Sequence, residues 1–347
     1  MSKFKIFNRI RKKSQDPKKF IRLHRAEFAH DSNKKKYDKN NYYPNPEKLV
    51  DEIAKFYKKK NSNILVGLGA ESLIKDTILW HQQKYKNKSC LNTYPNFFMY
   101  EVFLKLFNYK KYYFKIDALN PKITDTNLIK DKIKKNKISL LVIVNPAHPI
   151  EKYWTNKELK EIISYAKQKK TFVIIDEVYQ GMGTQSCINL VKTFKNFIVI
   201  KSASKTFGYP GLRIGFAIGN KNIIKELESF RLSHELPVKI IDEGIDLFKN
   251  YKKKVLPRVN KIIQARKYAL TELKKRNILV NGKFKNSISI YFKSKSVLKK
   301  VGDKLKHNRI IVNYKYPKPY ENFLNITTTS KINLKKFFKI FDLSSRN

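Results

Sequence analysis

The chain has 347 residues, 41% of them hydrophobic, enough for one large domain and a smaller one without covalent staples. Its cysteines, Cys90 and Cys187, stand far apart in no metal-ligand or redox spacing, which argues against a disulfide framework or a structural zinc and fits a reducing cytoplasm. The formal net charge of +47 comes from lysine spread along the whole chain with no nucleic-acid reading motif, and no stretch approaches the roughly 20 apolar residues of a membrane span. Neither a specific nucleic-acid partner nor a membrane is expected, only weak, salt-sensitive adhesion to polyanions.

Taken in order, residues 1–40 are highly charged and weakly periodic and read as an arm contributing to the smaller domain. From about residue 47 to residue 220 helical and strand-like segments alternate, the pattern of a large α/β domain, expected over 41–245, with a mostly parallel sheet sandwiched by helices. Leu49, Ile53 and Phe56 share one helix face, as do Leu159, Ile162, Ile163 and Ala166. Between the helices, SCLNTY (89–94), SLLVIVN (139–145), TFVIID (171–176) and NFIVIKS (196–202) are short, apolar and largely rich in β-branched residues, so they read as buried strands. From 246 to 347 a helix over 256–276, the run ISIYFK, a helix, the runs IIVNYK and FLNITTT, and a last helix predict a small α+β domain.

Ligands in such sheets bind outside the carboxyl ends of the strands, and several reactive residues fall there. VGLGAES (66–72) puts glycines between a strand and a helix, where free backbone N–H groups suit a phosphate, although a glycine turn also serves simply as a turn. TFVIIDEVY (171–179) ends a buried strand on Asp176, with Tyr179 three residues on. A buried carboxylate needs a cation or hydrogen-bond donors, and a protonated pyridine nitrogen is one such partner. VIKSASKTFGYPGLRIGFAIG (199–219) holds Ser202, Ser204, Lys205 and Arg213. Lys205 is the candidate nucleophile for Schiff-base chemistry, while Arg213 and the serines offer a forked cation and short donors for a phosphate.

These segments, with YYPNP (42–46), YPNFFMY (94–100) and VNPAHP (144–149), resemble the fold-type I pyridoxal-phosphate-dependent aminotransferases of class I/II, most closely the histidinol-phosphate aminotransferase group. The resemblance implies an enzyme that moves an amino group between a small amine and a keto acid or aldehyde, with pyridoxal 5'-phosphate as cofactor. It implies Lys205 as the lysine that carries the cofactor and moves the substrate proton, Asp176 on the pyridine nitrogen, and Tyr179 on the phenolic oxygen, where His148 replaces the usual asparagine. Phe97 would stack on the ring, and Gly69, Ala70, Glu71, Ser202, Ser204 and Arg213 would bind the phosphate. Tyr43 would reach the phosphate of a neighbouring subunit, so a homodimer is implied.

Four positions depart from that pattern. His148 can donate one hydrogen bond and could titrate near neutral pH. Ile150 and Glu151 stand where Thr-Gly is usual, and Asn325 replaces the arginine that grips the substrate carboxylate. Either the substrate lacks that carboxylate or carries a phosphate or phosphonate held by other cations (Arg22, Arg25, Lys315 and Lys318 are candidates), or the reaction is a decarboxylation of the threonine-phosphate decarboxylase type, or the missing arginine is the nearby Arg309. A non-catalytic PLP-binding or polyanion-binding protein is the remaining alternative.

Overall fold

The computed structural model describes residues 42–345, so the arm over 1–40, Arg22 and Arg25 lie outside the described residues. Seven strands, Ile64–Leu68 (β1), Ser89–Tyr94 (β2), Lys110–Lys115 (β3), Leu140–Val144 (β4), Phe172–Asp176 (β5), Phe197–Ser202 (β6) and Ile214–Gly219 (β7), form one sheet in the order β1-β7-β6-β5-β4-β2-β3. The pairs from β3 through β2, β4 and β5 to β6 are parallel; β7 alone runs against its neighbours β6 and β1.

Alternation of side chains across this sheet explains why its central strands are apolar throughout. Leu141, Ile143, Val173, Ile175 and Val199 point into a core shared with the helices Glu47–Tyr57 (α1), Thr126–Lys135 (α4), Asn156–Gln168 (α5) and Val238–Lys249 (α7). Their neighbours Leu140, Val142, Phe172, Ile174, Ile198 and Ile200 point the other way, onto Gly69–Lys84 (α2), Phe98–Leu106 (α3) and Lys221–Glu228 (α6). Leu159, Ile162, Ile163 and Ala166 are all buried, and α5 starts on a capping box between Thr155 and Glu158. Leu49 and Ile53 are buried too, whereas Phe56 stays partly exposed at the margin of its helix face, edge-on to Phe248.

Val280–Asn281 (β8), Ser287–Tyr291 (β9) and Phe323–Thr327 (β10) make a separate antiparallel sheet in the order β10-β9-β8. After the short helix Tyr251–Lys254 (α8), the helices Leu256–Lys275 (α9), Lys295–His307 (α10) and Lys331–Ser345 (α11) cover this sheet. The strand expected over 310–315 does not form; that segment contributes only a bridge from Asn313 to Asn325, because Ile311 is 89% exposed and finds nothing to pack against. Strand β3 had no clear signal. It is an edge strand with lysines at both ends, and Phe114 is its one buried residue.

One buried group in this scaffold makes a pH-dependent contribution. His81, in α2, is wholly buried, with Nε2 3.0 Å from the Ser139 carbonyl and Nδ1 2.6 Å from the Tyr109 hydroxyl. The carbonyl can only accept, so Nε2 carries the proton and Nδ1 accepts from Tyr109. Both nitrogens are used in the neutral ring, and burial pulls its pKa down to about 4 from an ordinary 6.5. Unfolding therefore takes up a proton between these values: stability is present above pH 6.5 and is lost as pH falls toward 4, by about 3 kcal/mol. The His81→Gln variant should unfold at a lower temperature at pH 7 yet lose less on going to pH 4.5, as thermal melts at the two pH values will read.

Candidate active site

The parallel strands bring their carboxyl ends to one edge of the large sheet, and there the chain places Gly69 after β1, Asp176 at the end of β5, Ser202 at the end of β6 and His148 after β4. Because β7 is antiparallel, Arg213 arrives at the same edge from its beginning.

Asp176 is buried, accepting the Val178 N–H at 2.9 Å and the Tyr100 hydroxyl at 3.0 Å. Burial pushes its carboxyl up to about 6, against the opposing pull of those two donors and of Lys201. A carboxyl group whose pKa burial raises, at the carboxyl end of a strand in the sheet, suits a cationic ligand group. Tyr100, in the sequence only the last residue of YPNFFMY, joins the site through its hydrogen bond to Asp176. Beneath it Glu177 and Lys201 form a buried pair at 2.8 Å, with Glu177 also accepting the Cys187 N–H at 2.7 Å, which fixes the turn that carries Tyr179.

Around α2 the backbone forms a concave cradle. Leu68 at the helix N-cap gives no side-chain hydrogen bond, so the first-turn N–H groups, those of Ala70 and Glu71 among them, face outward without a helical acceptor. Gly69 has φ +75°, and a Cβ there would come within 2.7 Å of the Arg213 guanidinium. At Gly215 a Cβ would collide with the Gly69 carbonyl carbon at 2.2 Å, so only glycine lets β7 bring Arg213 this close. Arg213 has φ 52° and makes no side-chain hydrogen bond or ion pair with the described residues. Ser202 Oγ accepts the Ser204 N–H at 3.0 Å and lies 2.9 Å from Ser204 Oγ, which turns the chain through Ser204 to Lys205. These donors, free cation and helix N-terminus fit a phosphate. The turn is backed by Arg231, which the sequence did not single out: it is buried beneath Gly67 and binds Asp76 at 2.7 Å.

Lys205 is exposed in its turn, close enough to His148 for its charge to act there. The half-buried His148 ring stacks on Tyr179, centroids 4.8 Å apart at 21°. Its Nδ1 is shut off from solvent and has no hydrogen-bond partner among the described residues, an orphan that a ligand would satisfy. The expectation that His148 could titrate near neutral pH is overturned: burial, and then the charges of Lys285 and Lys205, hold it well below its ordinary value. Phe97, 39% exposed, follows β2 and packs edge-on to Phe98. Tyr43 stands apart from this cluster, half exposed and stacked on His234 at 4.7 Å.

The departures at 150, 151 and 325 have structural work. Ile150 is buried beside Ala147, Tyr320 and Phe323. Glu151 accepts the Phe284 N–H at 3.0 Å and that of Lys283 at 2.5 Å, tying the loop after β4 to the turn between β8 and β9. Asn325 is buried on β10, donating to Ser289 Oγ at 2.9 Å, and Ser289 in turn donates to the Pro149 carbonyl at 3.0 Å. Among the other proposed cations, Lys315 and Lys318 are exposed, near Asp303 and Glu321, and Arg309 is exposed at the turn after α10. Among the described residues no group of three potential metal ligands occurs, and no helix is long and apolar enough to cross a membrane.

Comparison with known proteins matches this arrangement. Over 293 residues, 82% of this chain and 77% of the relative, the sequence is 29% identical to a histidinol-phosphate aminotransferase of Clostridium beijerinckii. The crystal structure of the histidinol-phosphate aminotransferase from Clostridium acetobutylicum superposes with a TM-score of 0.78 at 20% identity, covering 89% of this chain and 92% of that one. That of the Sinorhizobium meliloti enzyme in complex with pyridoxal-5'-phosphate gives 0.76 at 16% identity, covering 88% and 83%. The family described as aminotransferase class I and II matches residues 7–339, nearly the whole chain. The chain belongs to that family and is a transaminase that uses pyridoxal phosphate.

Proposed function

We propose that this aminotransferase takes its amino group from a small primary amine that carries a phosphate and lacks an α-carboxylate, as in the histidinol phosphate for which its relatives are named, and passes it to an aldehyde, or to a keto acid whose carboxylate is held by a cation elsewhere than at position 325. The observation that carries the reading is Asn325. A buried amide already committed to Ser289 replaces the forked cation that would otherwise grip a carboxylate, and a neutral donor cannot make the bidentate charge-assisted pair. A decarboxylase gains nothing from this change, since its substrate also presents a carboxylate.

Bound pyridoxal phosphate supplies an electron sink for negative charge developing at the substrate carbon. The chain's own residues do the rest in this reading. Gly69, Ala70, Glu71, Ser202, Ser204 and Arg213 bind the phosphate; Asp176, oriented by Tyr100, holds a proton on the pyridine nitrogen; Tyr179 and His148 bond the phenolic oxygen; Phe97 covers the ring. Lys205 anchors the cofactor and moves the substrate proton. Two chains form the working unit, with Tyr43 reaching the neighbouring phosphate, and the enzyme works in the cytoplasm. The large PLP-binding domain spans 41–245 and the small one 246–347.

The test mixes the cofactor-loaded protein with histidinol phosphate or glutamate and follows the visible band. Histidinol phosphate should convert it about 100-fold faster or more, and Asn325→Arg should raise the glutamate rate by about 100-fold, the worth of a bidentate pair. Equal wild-type rates with the two amines would remove the substrate assignment, and sedimentation as a monomer would remove the dimer.

A further inference from the structure

His148 is flanked by two carbonyl groups that a single buried ammonium holds. Lys285, in the turn before β9, is wholly buried, and its Nζ donates to the Ala147 carbonyl at 3.0 Å and the Pro149 carbonyl at 2.5 Å. Ser289 donates to the same Pro149 oxygen, and Arg266 bonds the Lys285 carbonyl at 3.0 Å, fixing the turn from behind. Among the described residues Lys285 has no carboxylate within salt-bridge distance; Glu151 acts on it only from further away. Burying a charge without a direct counter-ion is costly, and an apolar side chain of like volume would serve stability as well or better. The placement of the charge therefore asks for a reason beyond stability, and the peptide it grips is the one that carries His148.

We propose that Lys285 is a positioning residue for the cofactor site, pinning the carbonyl groups of the residues on both sides of His148, Ala147 and Pro149, so that the imidazole stays stacked on Tyr179 in the place where relatives of this fold present an amide to the cofactor. The inference rests on the cofactor roles proposed above. The charged and titratable groups around His148 are Tyr179 against its face and the cations Lys205 and Lys285; Asp176 and Tyr316 act on Tyr179, and Glu151 acts on Lys285. Two cations and burial favour the uncharged ring, which keeps one nitrogen as a donor and one as an acceptor. The small sheet thus reaches the cofactor through a large-domain loop without touching it.

The test uses the cofactor-loaded protein and two readouts, imidazole NMR and the pH midpoint of the visible band. The chain has six histidines, and His148→Asn identifies the resonance of interest. In wild type that resonance should titrate well below the ordinary imidazole range, whereas Lys285→Met, which removes a positive charge, should move its midpoint up. The same variant should raise the midpoint of the band by about half a unit, and by much less in a His148→Asn background. Ser289→Ala, which loosens Pro149 while leaving the charge, should shift the band in the same direction by a smaller amount. Unchanged midpoints in Lys285→Met with a lower unfolding temperature would reduce Lys285 to a domain contact, and an equal shift in the His148→Asn background would show that it does not act through His148. If Lys285→Met does not fold, an unshifted band in Ser289→Ala overturns the proposal. A wild-type protein with no Lys205-dependent band would instead remove the cofactor roles themselves, a failure visible before any variant at 285 is made.

Discussion

The Lys205→Ala variant should lose the visible band that the wild-type protein gains with pyridoxal phosphate, and amine transfer should fall by about 10⁴-fold or more. Two functions disappear with one amine: the covalent anchor, and the base that carries a proton at the substrate carbon, the latter alone worth about 10²–10⁴ in rate. The fold should be untouched. Lys205 is exposed in a turn whose geometry is set by Ser202 and Ser204, and its side chain makes no hydrogen bond with the described residues, so the unfolding temperature of the cofactor-free variant should match wild type. Cofactor affinity should drop without vanishing, because the cradle of Gly69, Ala70 and Arg213 remains. Absorbance, equilibrium cofactor binding and thermal melts check the three statements separately. A persistent band in Lys205→Ala would mean that another lysine in this lysine-rich chain is the anchor.

Lys205 could be picked from 75 basic residues because its neighbours, not its type, carry information. Gly208 takes φ +76°, and Arg213 and Gly215 follow where β7 passes closely against Gly69; the clash that a Cβ at Gly215 would make is the physical form of that signal. The strands β4, β5 and β6 were legible for a similarly local reason: both faces of a central parallel strand are covered, so its sequence is a nearly unbroken apolar run, whereas β2 mixes Ser, Asn and Thr into its run. Where a residue's role depends on a distant partner, the sequence was silent. Lys285 looks like any other lysine until the fold places it under Ala147 and Pro149, and Arg231 is unremarkable until Asp76 and Gly67 close around it. The edge strand β3 and the failed strand over 310–315 mark the same boundary from the other side. Their apolar content says little, since burial at an edge is decided by what packs there; β3 pairs with β2, and Ile311 meets solvent.

Asp176→Asn should change stability with opposite signs in the two forms of the protein. Without cofactor, the raised carboxyl is a liability: its stability contribution is complete below pH 3.8 and is lost as pH rises through about 6, some 3 kcal/mol by pH 8. An amide removes that cost while keeping the local bonds, since its oxygen still accepts the Val178 N–H and its nitrogen can donate to the Tyr100 hydroxyl. The cofactor-free variant should therefore melt a few degrees above wild type at pH 8 and close to it at pH 4. With cofactor the order reverses. A pyridinium nitrogen gives the wild-type carboxylate its counter-charge, and removing one partner of a buried pair costs about 3–5 kcal/mol, so bound cofactor should stabilise the variant far less and amine transfer should fall by about 10³-fold. Melts of both forms at pH 4 and pH 8 supply the comparison. Equal destabilisation in both forms would make Asp176 a packing residue. The predicted reversal would instead show that this fold tolerates an unfavourable charge at the end of β5 because the cofactor's cation meets it there.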